Sequence, residues 1–222
     1  MRRIRIKICC IASREEARLA IAEGADALGL VGAMPSGPGP IDDALIAAIA
    51  ARVPPPVATF LLTSETEAEA IIAHARRCRT STLQLVDRLE PDVYARLRAA
   101  LPTVKLVQVI HVGGPEAVED ARAAAAFVDA LLLDSGVPHA AVKVLGGTGR
   151  VHDWRISRRI VEACPCPVFL AGGLRSENVA QAIAEVRPFG VDLCTGVRTD
   201  WRLDPQKLRA FIEAVREVPV VQ

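Results

Sequence analysis

Several features that would assign this sequence to a function class at once are missing. Charge of one sign is not in excess, because 27 Lys and Arg residues face 26 Asp and Glu residues, so neither nucleic acid nor an anionic membrane surface is favoured as a partner. No apolar run is long enough to span a bilayer. The N-terminal stretch of residues 1–7, MRRIRIK, lacks the apolar core of a signal peptide. We therefore expect a cytoplasmic protein that binds neither nucleic acid nor membranes.

The cysteines indicate neither a disulfide framework nor a metal site. There are six, and a disulfide framework would be unusual in a chain without a secretory signal. Cys164 and Cys166 lie too close in sequence for the usual pair of zinc ligands, and no second pair matches them. We interpret most of the cysteines as small buried apolar residues and predict no metal.

Short apolar runs alternate with amphipathic segments along the whole chain. We predict strands over 4–9, 25–31, 57–62, 82–86, 104–110 and 130–134, then from 167 to the glycines at 172–173, and from 191 to the glycine at 196. Helices are predicted over 13–22, 42–52, 91–100, 115–127 and 204–215, from Thr63 or Ser64 to about 77, and from Asp153 and Ser176 onward. Strict alternation implies a parallel sheet with right-handed crossovers.

Eight such units in one uninterrupted chain fit a single α/β domain, a (β/α)8 TIM barrel, over residues 1–222. The competing architecture is an open doubly wound sheet. That fold would place a glycine-rich phosphate loop after the first strand, and the residues from Cys9 to Ser13 contain no glycine. We therefore favour the barrel.

The last two predicted strands both end in glycine. In a barrel, the loops after the seventh and eighth strands commonly bind phosphate, and glycine lets backbone N–H groups approach a ligand without a clashing Cβ. The sequence therefore predicts a phosphate site formed by Gly172, Gly173, Thr195 and Gly196.

Two reactive side chains end other strands. Cys9 and Asp134 are expected on opposite sides of the barrel mouth, where a thiolate and a carboxylic acid form a plausible base and acid pair. Lys7 precedes Cys9 by two residues, so both face inward if one does, and a buried lysine needs an acidic partner. The alternative is that Cys9 is a packing residue and Asp134 caps a turn. His111 ends the fifth strand, where a lone histidine is more often structural than catalytic.

A long loop is expected over 135–150. It contains Gly146, Gly147 and Gly149, which give the flexibility that a closing lid requires. A disordered excursion is the alternative interpretation of so long a loop.

Taken together, these motifs resemble the phosphoribosylanthranilate isomerase family of tryptophan biosynthesis. The resemblance covers essentially the whole chain. It rests on an ordered set of motifs: KIC at 7–9, GADALGLV at 24–31, Gln84-Leu85, LLD at 132–134, GGTG at 146–149, AGGL at 171–174 and TGV at 195–197.

The resemblance implies specific roles. Cys9 would be the general base and Asp134 the general acid of an Amadori rearrangement, which converts N-(5-phosphoribosyl)anthranilate to 1-(2-carboxyphenylamino)-1-deoxyribulose 5-phosphate. Lys7, Gln84 and the glycines of the long loop would contact the substrate or form the lid. The partner would be this phosphorylated sugar, no cofactor would be required, and a monomer or homodimer is expected.

The chain departs from the family pattern at four places. The loop after the second strand has no arginine to hold the anthranilate carboxylate, and Arg150, Arg175 and Arg198 are the candidates for a replacement cation. Asp87 ends the motif that begins at Gln84, where the family has glycine. After the catalytic cysteine, the family has glycine and this chain has Cys10. After the last phosphate glycine, the family has an acidic residue and this chain has Arg198.

Two further hypotheses follow from these departures. The first is a diverged paralogue that uses the same residue pair on another phosphorylated sugar. The second is a non-catalytic barrel that serves as a binding or assembly subunit, in which Cys9 is an ordinary thiol. We place the isomerase first and the diverged paralogue second.

Overall fold

The fold is known from a computed structural model that describes residues 3–35, 37–135 and 152–219. The barrel strands are β1 (Arg5–Ile8), β2 (Ala27–Val31), β3 (Ala58–Thr63), β4 (Thr82–Leu85), β5 (Lys105–His111), β6 (Ala130–Asp134), β7 (Val168–Leu170) and β8 (Gly190–Leu193). The helices are α1 (Arg14–Glu23), α2 (Asp43–Ala50), α3 (Ala68–Cys78), α4 (Pro91–Ala100), α5 (Ala117–Ala125), α6 (Trp154–Ala163), α7 (Val179–Val186) and α8 (Pro205–Arg216). In the described part of the chain, no helix has the length and apolarity that crossing a bilayer requires.

The eight strands form a closed barrel in chain order, and each strand is parallel to its neighbours. The β1–β8 pairing closes the sheet and sets Lys7 beside Asp192 in register. After β8, a 3-10 turn (Thr195–Val197) leads into a small antiparallel hairpin, β9 (Arg198–Thr199) and β10 (Arg202–Leu203). The predicted (β/α)8 barrel is confirmed.

The barrel wall separates two apolar cores. Inside the barrel lie Phe60, Leu62, Val107, Leu132 and Phe169, among others, and burying each such side chain contributes about 1.5–3 kcal/mol. A larger core packs between the strands and the helices. In β1 the alternation sorts the residues as expected: Ile4, Ile6 and Ile8 belong to the outer core, whereas Cys9 belongs to the inner one. Cys9, and Lys7 two positions before it, therefore face the barrel interior.

Local signals fixed the start of α1 but not the start of α3. Ser13 accepts a hydrogen bond from the Glu16 N–H at 3.1 Å, as its N-cap position predicts. The prediction that Thr63 or Ser64 caps α3 is wrong, because this helix begins after Glu67. The Thr63 hydroxyl is committed elsewhere, since it lies 3.0 Å from His74 Nδ1 and accepts from the Glu65 N–H.

The start of α7 also differs from the prediction. Ser176 does not open the helix, which begins at Val179 after Asn178. The Asn178 side chain accepts from the Arg175 N–H at 2.8 Å and donates to the Gly173 carbonyl at 3.0 Å. These two bonds hold the turn that connects β7 to α7.

Candidate active site

A small cavity of about 80 Å³ opens where the strands end. Its walls bring together most of the side chains and glycines predicted for the site, namely Cys9, Gln84, Asp134, Gly172, Gly173 and Thr195. Asp192 also lines it. These seven residues come from five strands or from the loops that follow them, namely β1, β4, β6, β7 and β8. They meet at the barrel mouth, where barrel enzymes carry their chemistry.

Cys9 and Asp134 end two strands that lie far apart around the barrel mouth. The shorter way round the closed sheet from β6 to β1 passes through β7 and β8. The loops after β7 and β8 consequently lie between the thiol and the carboxyl group. A molecule anchored on those loops has one reactive group on either side.

The loops after β7 and β8 approach each other closely. Gly172 and Gly173 have φ angles of +85° and +65°, which side chains other than glycine rarely tolerate. A Cβ on Gly196 would lie 2.3 Å from the Leu174 carbonyl oxygen, a distance that no real Cβ adopts. The backbone conformation therefore favours glycine at positions 172 and 173, and contact with the loop after β7 requires it at position 196.

Lys7 lies beneath the mouth rather than on its surface. Its side chain is fully buried, and its Nζ donates to Asp192 Oδ1 at 2.9 Å. Burial alone would lower the pKa of Lys7, but the neighbouring Asp192 carboxylate outweighs it and raises that pKa. The inward acid that a buried lysine needs is thus Asp192, and Lys7 acts on the mouth as a fixed positive charge.

The thiol of Cys9 is held near two groups that favour its ionised form. A hydrogen bond from the Cys10 thiol lowers the pKa of Cys9; burial opposes this, and the charge of Lys7 adds to the lowering. Hydrogen bonds with Cys194 and with Cys9, together with burial, raise the pKa of Cys10, which stays protonated. Cys9 therefore has the environment of an activated thiol.

Cys10 adopts a left-handed conformation with φ of +60°, a backbone region that favours glycine. Arg198 stabilises this segment by donating to the carbonyl oxygens of Cys9 and Cys10. The same guanidinium binds Glu16. Two of the four departures from the family pattern are therefore in direct contact.

The candidates for a replacement cation differ in their positions. Arg198 is 7% exposed, and its two Nη atoms are occupied by Glu16 and backbone oxygens, so it is not a free cation at the mouth. Arg175 is exposed, and its Cγ lies beside Gly196, near the predicted phosphate loops rather than the loop after β2. Arg150 lies outside the described residues, as do the predicted lid residues Gly146, Gly147 and Gly149.

Gln84 and two histidines complete the surroundings of the mouth. Gln84 Oε1 is buried and accepts no hydrogen bond from the described residues. His111 Nε2 lies 3.0 Å from the Val86 carbonyl oxygen, and its buried Nδ1 has no partner among the described residues. His152 lies with Nδ1 3.1 Å from the point that a Cβ on Gly172 would occupy. Burial lowers the pKa of His152, and Asp134 opposes this.

These groups and the closed barrel define the class of protein: a (β/α)8 enzyme whose mouth combines a thiol, a carboxyl group and glycine-rich strand ends. Comparison with known proteins identifies the family. The model of the N-(5'-phosphoribosyl)anthranilate isomerase family matches residues 6–214. The chain belongs to this family.

Individual relatives agree along nearly the full length. The N-(5'-phosphoribosyl)anthranilate isomerase of Desulforudis audaxviator is 39% identical over 212 residues, covering 96% of this chain and 98% of its own. The enzyme of Methanocella arvoryzae is 35% identical over 213 residues, with the same coverage.

Solved structures give the same result. Phosphoribosyl anthranilate isomerase from Thermotoga maritima superposes with a TM-score of 0.80 at 28% identity, covering 96% of this chain and 98% of that one. A phosphoribosyl anthranilate isomerase in complex with reduced 1-(o-carboxyphenylamino)-1-deoxyribulose 5-phosphate superposes with a TM-score of 0.77 at 27% identity, with the same coverage.

Proposed function

We propose that this chain, acting as a single domain over residues 1–222, is a cytoplasmic phosphoribosylanthranilate isomerase in which Cys9 is the general base and Asp134 the general acid. The observation that carries these roles is their placement on either side of the glycine-rich ends of β7 and β8. An acid and a base that flank an anion site can act on one bound sugar phosphate.

The reaction is an intramolecular rearrangement and needs one proton donor and one proton acceptor. Asp134 protonates the ribose ring oxygen, and the C1–O bond breaks to give an iminium ion. The Cys9 thiolate then removes the C2 proton, and the resulting enolamine tautomerises to the ketone. Oxidation states change only between C1 and C2 of the sugar, so no external oxidant or reductant takes part.

The remaining groups of the mouth position the substrate. Backbone N–H groups of Gly172, Gly173, Thr195 and Gly196 bind the phosphate, and the three glycines present no Cβ that would keep a ligand away from the backbone. Gln84 Oε1 accepts a hydrogen bond from a ribose hydroxyl, which satisfies a buried acceptor left without a partner among the described residues. Lys7 favours the Cys9 thiolate through its charge.

The test is the decay of phosphoribosylanthranilate fluorescence on addition of the purified protein. Cys9→Ala and Asp134→Asn should each lower kcat by about 100- to 10,000-fold, the usual contribution of general acid–base catalysis. Cys166→Ala is the matched control, since Cys166 packs on the outer core, away from the mouth. A fully active Cys9→Ala or Asp134→Asn variant would refute the assigned mechanism.

The missing arginine motivates a second candidate function, the rearrangement or binding of another phosphorylated sugar. Among the described residues, none that lines the mouth is an arginine or a lysine. This function predicts no turnover of phosphoribosylanthranilate but retained binding of inorganic phosphate in calorimetry. Growth of a tryptophan auxotroph complemented by the wild-type gene would exclude it.

A further inference from the structure

Three potential metal ligands meet between two helices of the outer layer. They are Asp43 from α2, and His74 and Cys78 from α3. One ligand atom of each residue, a carboxylate oxygen, an imidazole nitrogen or the thiol sulfur, lies within 4.8 Å of the other two. Tetrahedral ligands bound to zinc at about 2.0–2.3 Å are roughly 3.3–3.7 Å apart. Small side-chain movements therefore bring the three atoms to bonding positions.

The two ligands on α3 lie on the same face of that helix. His74 and Cys78 are four residues apart, a spacing that places side chains one above the other. Asp43 lies opposite them in the first turn of α2, and its Oδ1 is 3.1 Å from His74 Nε2. The spacing of the cysteines alone predicted no metal site, because this third ligand lies 31 positions before His74.

The imidazole of His74 is held in the orientation that a metal ligand needs. Its Nδ1 lies 3.0 Å from the buried Thr63 hydroxyl, which leaves Nε2 directed at Asp43. Metal-bound histidines usually donate their other ring N–H to an oxygen in this way. Packing also fixes the ring, because a Cβ on Gly32 would lie 2.4 Å from His74 Cε1. The outer partner of a coordinating imidazole is therefore already in place.

The charges of the cluster suit a divalent cation. A carboxylate and a thiolate together balance the two charges of Zn²⁺, and the imidazole is neutral. Without a metal, Cys78 is protonated, because burial and the Asp43 carboxylate raise its pKa to about 12. Coordination replaces the thiol proton with the metal and releases that proton to solvent. The imidazole keeps its proton, which moves from Nε2 to Nδ1 and is donated to Thr63.

Arg77 leaves one carboxylate oxygen available to a metal. Its Nε donates to Asp43 Oδ2 at 2.7 Å, whereas Oδ1 faces His74. The Arg77 side chain is 57% exposed, so solvent screens its repulsion of a second cation. Asp43 therefore coordinates through a single oxygen and keeps its ion pair.

We propose that Asp43, His74 and Cys78 form a zinc site that joins α2 to α3, with water as the fourth ligand. A donor set that contains thiolate and imidazole favours zinc over magnesium and calcium, which prefer oxygen ligands. The Asp43 side chain is 31% exposed, so solvent reaches the fourth position. None of the three residues lines the mouth. The metal stabilises the packing of two helices and is separate from the proposed isomerase reaction.

The first test is a titration of the EDTA-treated protein with Zn²⁺ in competition with a chromophoric chelator. The wild type should bind one Zn²⁺ per chain. Cys78→Ser keeps a hydroxyl that can donate to Asp43 but lacks the thiolate, and His74→Ala lacks the imidazole. Each variant should bind at least about 100-fold more weakly, since loss of an outer partner alone costs about 10- to 100-fold.

Cys164→Ala is the matched control. Cys164 is also a buried cysteine at the C-terminal end of a helix, α6, but it does not belong to the cluster. This variant should bind Zn²⁺ with the affinity of the wild type. Equal affinity of the wild type and Cys78→Ser, or no binding of Zn²⁺ by the wild type, would overturn the proposal.

Substitution of Co²⁺ for Zn²⁺ identifies the sulfur that is bound. A coordinating thiolate gives Co²⁺ a charge-transfer absorption, which should appear in the wild type and in Cys164→Ala and be absent from Cys78→Ser. Other thiols, at Cys9, Cys10 and Cys194, line the mouth. An absorption that persists in Cys78→Ser would place the metal at another thiol and refute the assignment.

Zinc should also stabilise the folded chain. With free Zn²⁺ at about 100 times the dissociation constant, the melting temperature of the wild type should rise by about 5–10 °C. At the same Zn²⁺ concentration the melting temperature of Cys78→Ser should not change. If His74→Ala fails to fold, Cys78→Ser still decides, because serine keeps the size and the hydrogen bond of the thiol. These measurements do not use the isomerase reaction, so their outcome is independent of the proposed function.

Discussion

Replacement of Asp192 by asparagine should strongly destabilise the barrel. The Lys7 side chain is fully buried and Asp192 is 7% exposed, with 2.9 Å between Nζ and Oδ1. At an effective dielectric constant of about 20, the attraction at that distance is roughly 6 kcal/mol. Removing one partner of a buried pair typically costs about 3–5 kcal/mol, because the other charge remains buried without compensation. That is a large share of the total stability of about 5–15 kcal/mol for a folded protein.

Urea denaturation at pH 7 measures this loss, and the melting temperature should fall by about 6–20 °C for a domain of this size. Two controls accompany it. Replacing both partners, Lys7→Met with Asp192→Leu, should recover much of the stability, since an apolar pair needs no counterion. Arg88→Ala breaks a highly exposed pair with Asp120 and should cost no more than about 1 kcal/mol. An Asp192→Asn variant as stable as the wild type would refute the reasoning.

The same change should alter how stability depends on pH. In the wild-type protein the pKa of Lys7 is raised, so its stabilising effect is complete below the unfolded value of about 10.4 and is lost as the pH rises through the folded value. Without Asp192, burial dominates and the pKa of Lys7 falls below about 10.4. The unfolded chain then binds more protons between the two pKa values, so the stability of the variant rises with pH across that window.

Three further predictions concern the mouth. In the wild type, kcat/KM should rise with pH through an apparent pKa below the usual thiol value of about 8.5, because the pKa of Cys9 is lowered; a pH–rate profile measures it. Cys10→Gly removes the thiol that donates to Cys9 and should move this rise to higher pH. Cys10→Ser keeps a donor and should leave the rise near its wild-type pH. Identical pH–rate profiles for the two variants would contradict the hydrogen bond from Cys10 to Cys9. Gly196→Ala should weaken competitive inhibition by inorganic phosphate at least tenfold, since its Cβ would lie 2.3 Å from a backbone oxygen. Gly113→Ala, whose Cβ would meet nothing closer than 3.9 Å, should leave that inhibition unchanged.

The barrel and the parts of the site that belong to single strands followed from local patterns. Alternation in β1 predicted that Lys7 and Cys9 face the interior, since Ile6 and Ile8 occupy the other face. The repeated order of strand and helix predicted closure, because eight such units leave few other arrangements. Glycine at the ends of two consecutive strands predicted loops whose backbone needs glycine. Gly172 and Gly173 have the positive φ angles that favour this residue.

Interactions between distant segments were not predictable in the same way. The partner of Lys7 lies 185 positions away, and only the β1–β8 register brings Asp192 beside it. The sequence suggests Arg198 as a possible substrate cation, whereas in the fold it pairs with Glu16, which lies 182 positions away. The cap of α3 was misplaced for a related reason, since the Thr63 hydroxyl is used by His74 from the following helix. Sequence patterns describe the parts, whereas these contacts depend on how the parts are assembled.

Closure of the barrel by its first and last strands has a consequence for protein synthesis. β1 leaves the ribosome early, but its pairing partner β8 follows some 185 residues later. Until then the growing polypeptide carries an uncompensated ammonium group on an open sheet edge, and the loop after β8 has not been made. A truncated translation product that stops before residue 190 therefore cannot close the barrel and lacks one of the two glycine-containing loops that follow β7 and β8, and we expect it to be a substrate for chaperones rather than a partly active enzyme.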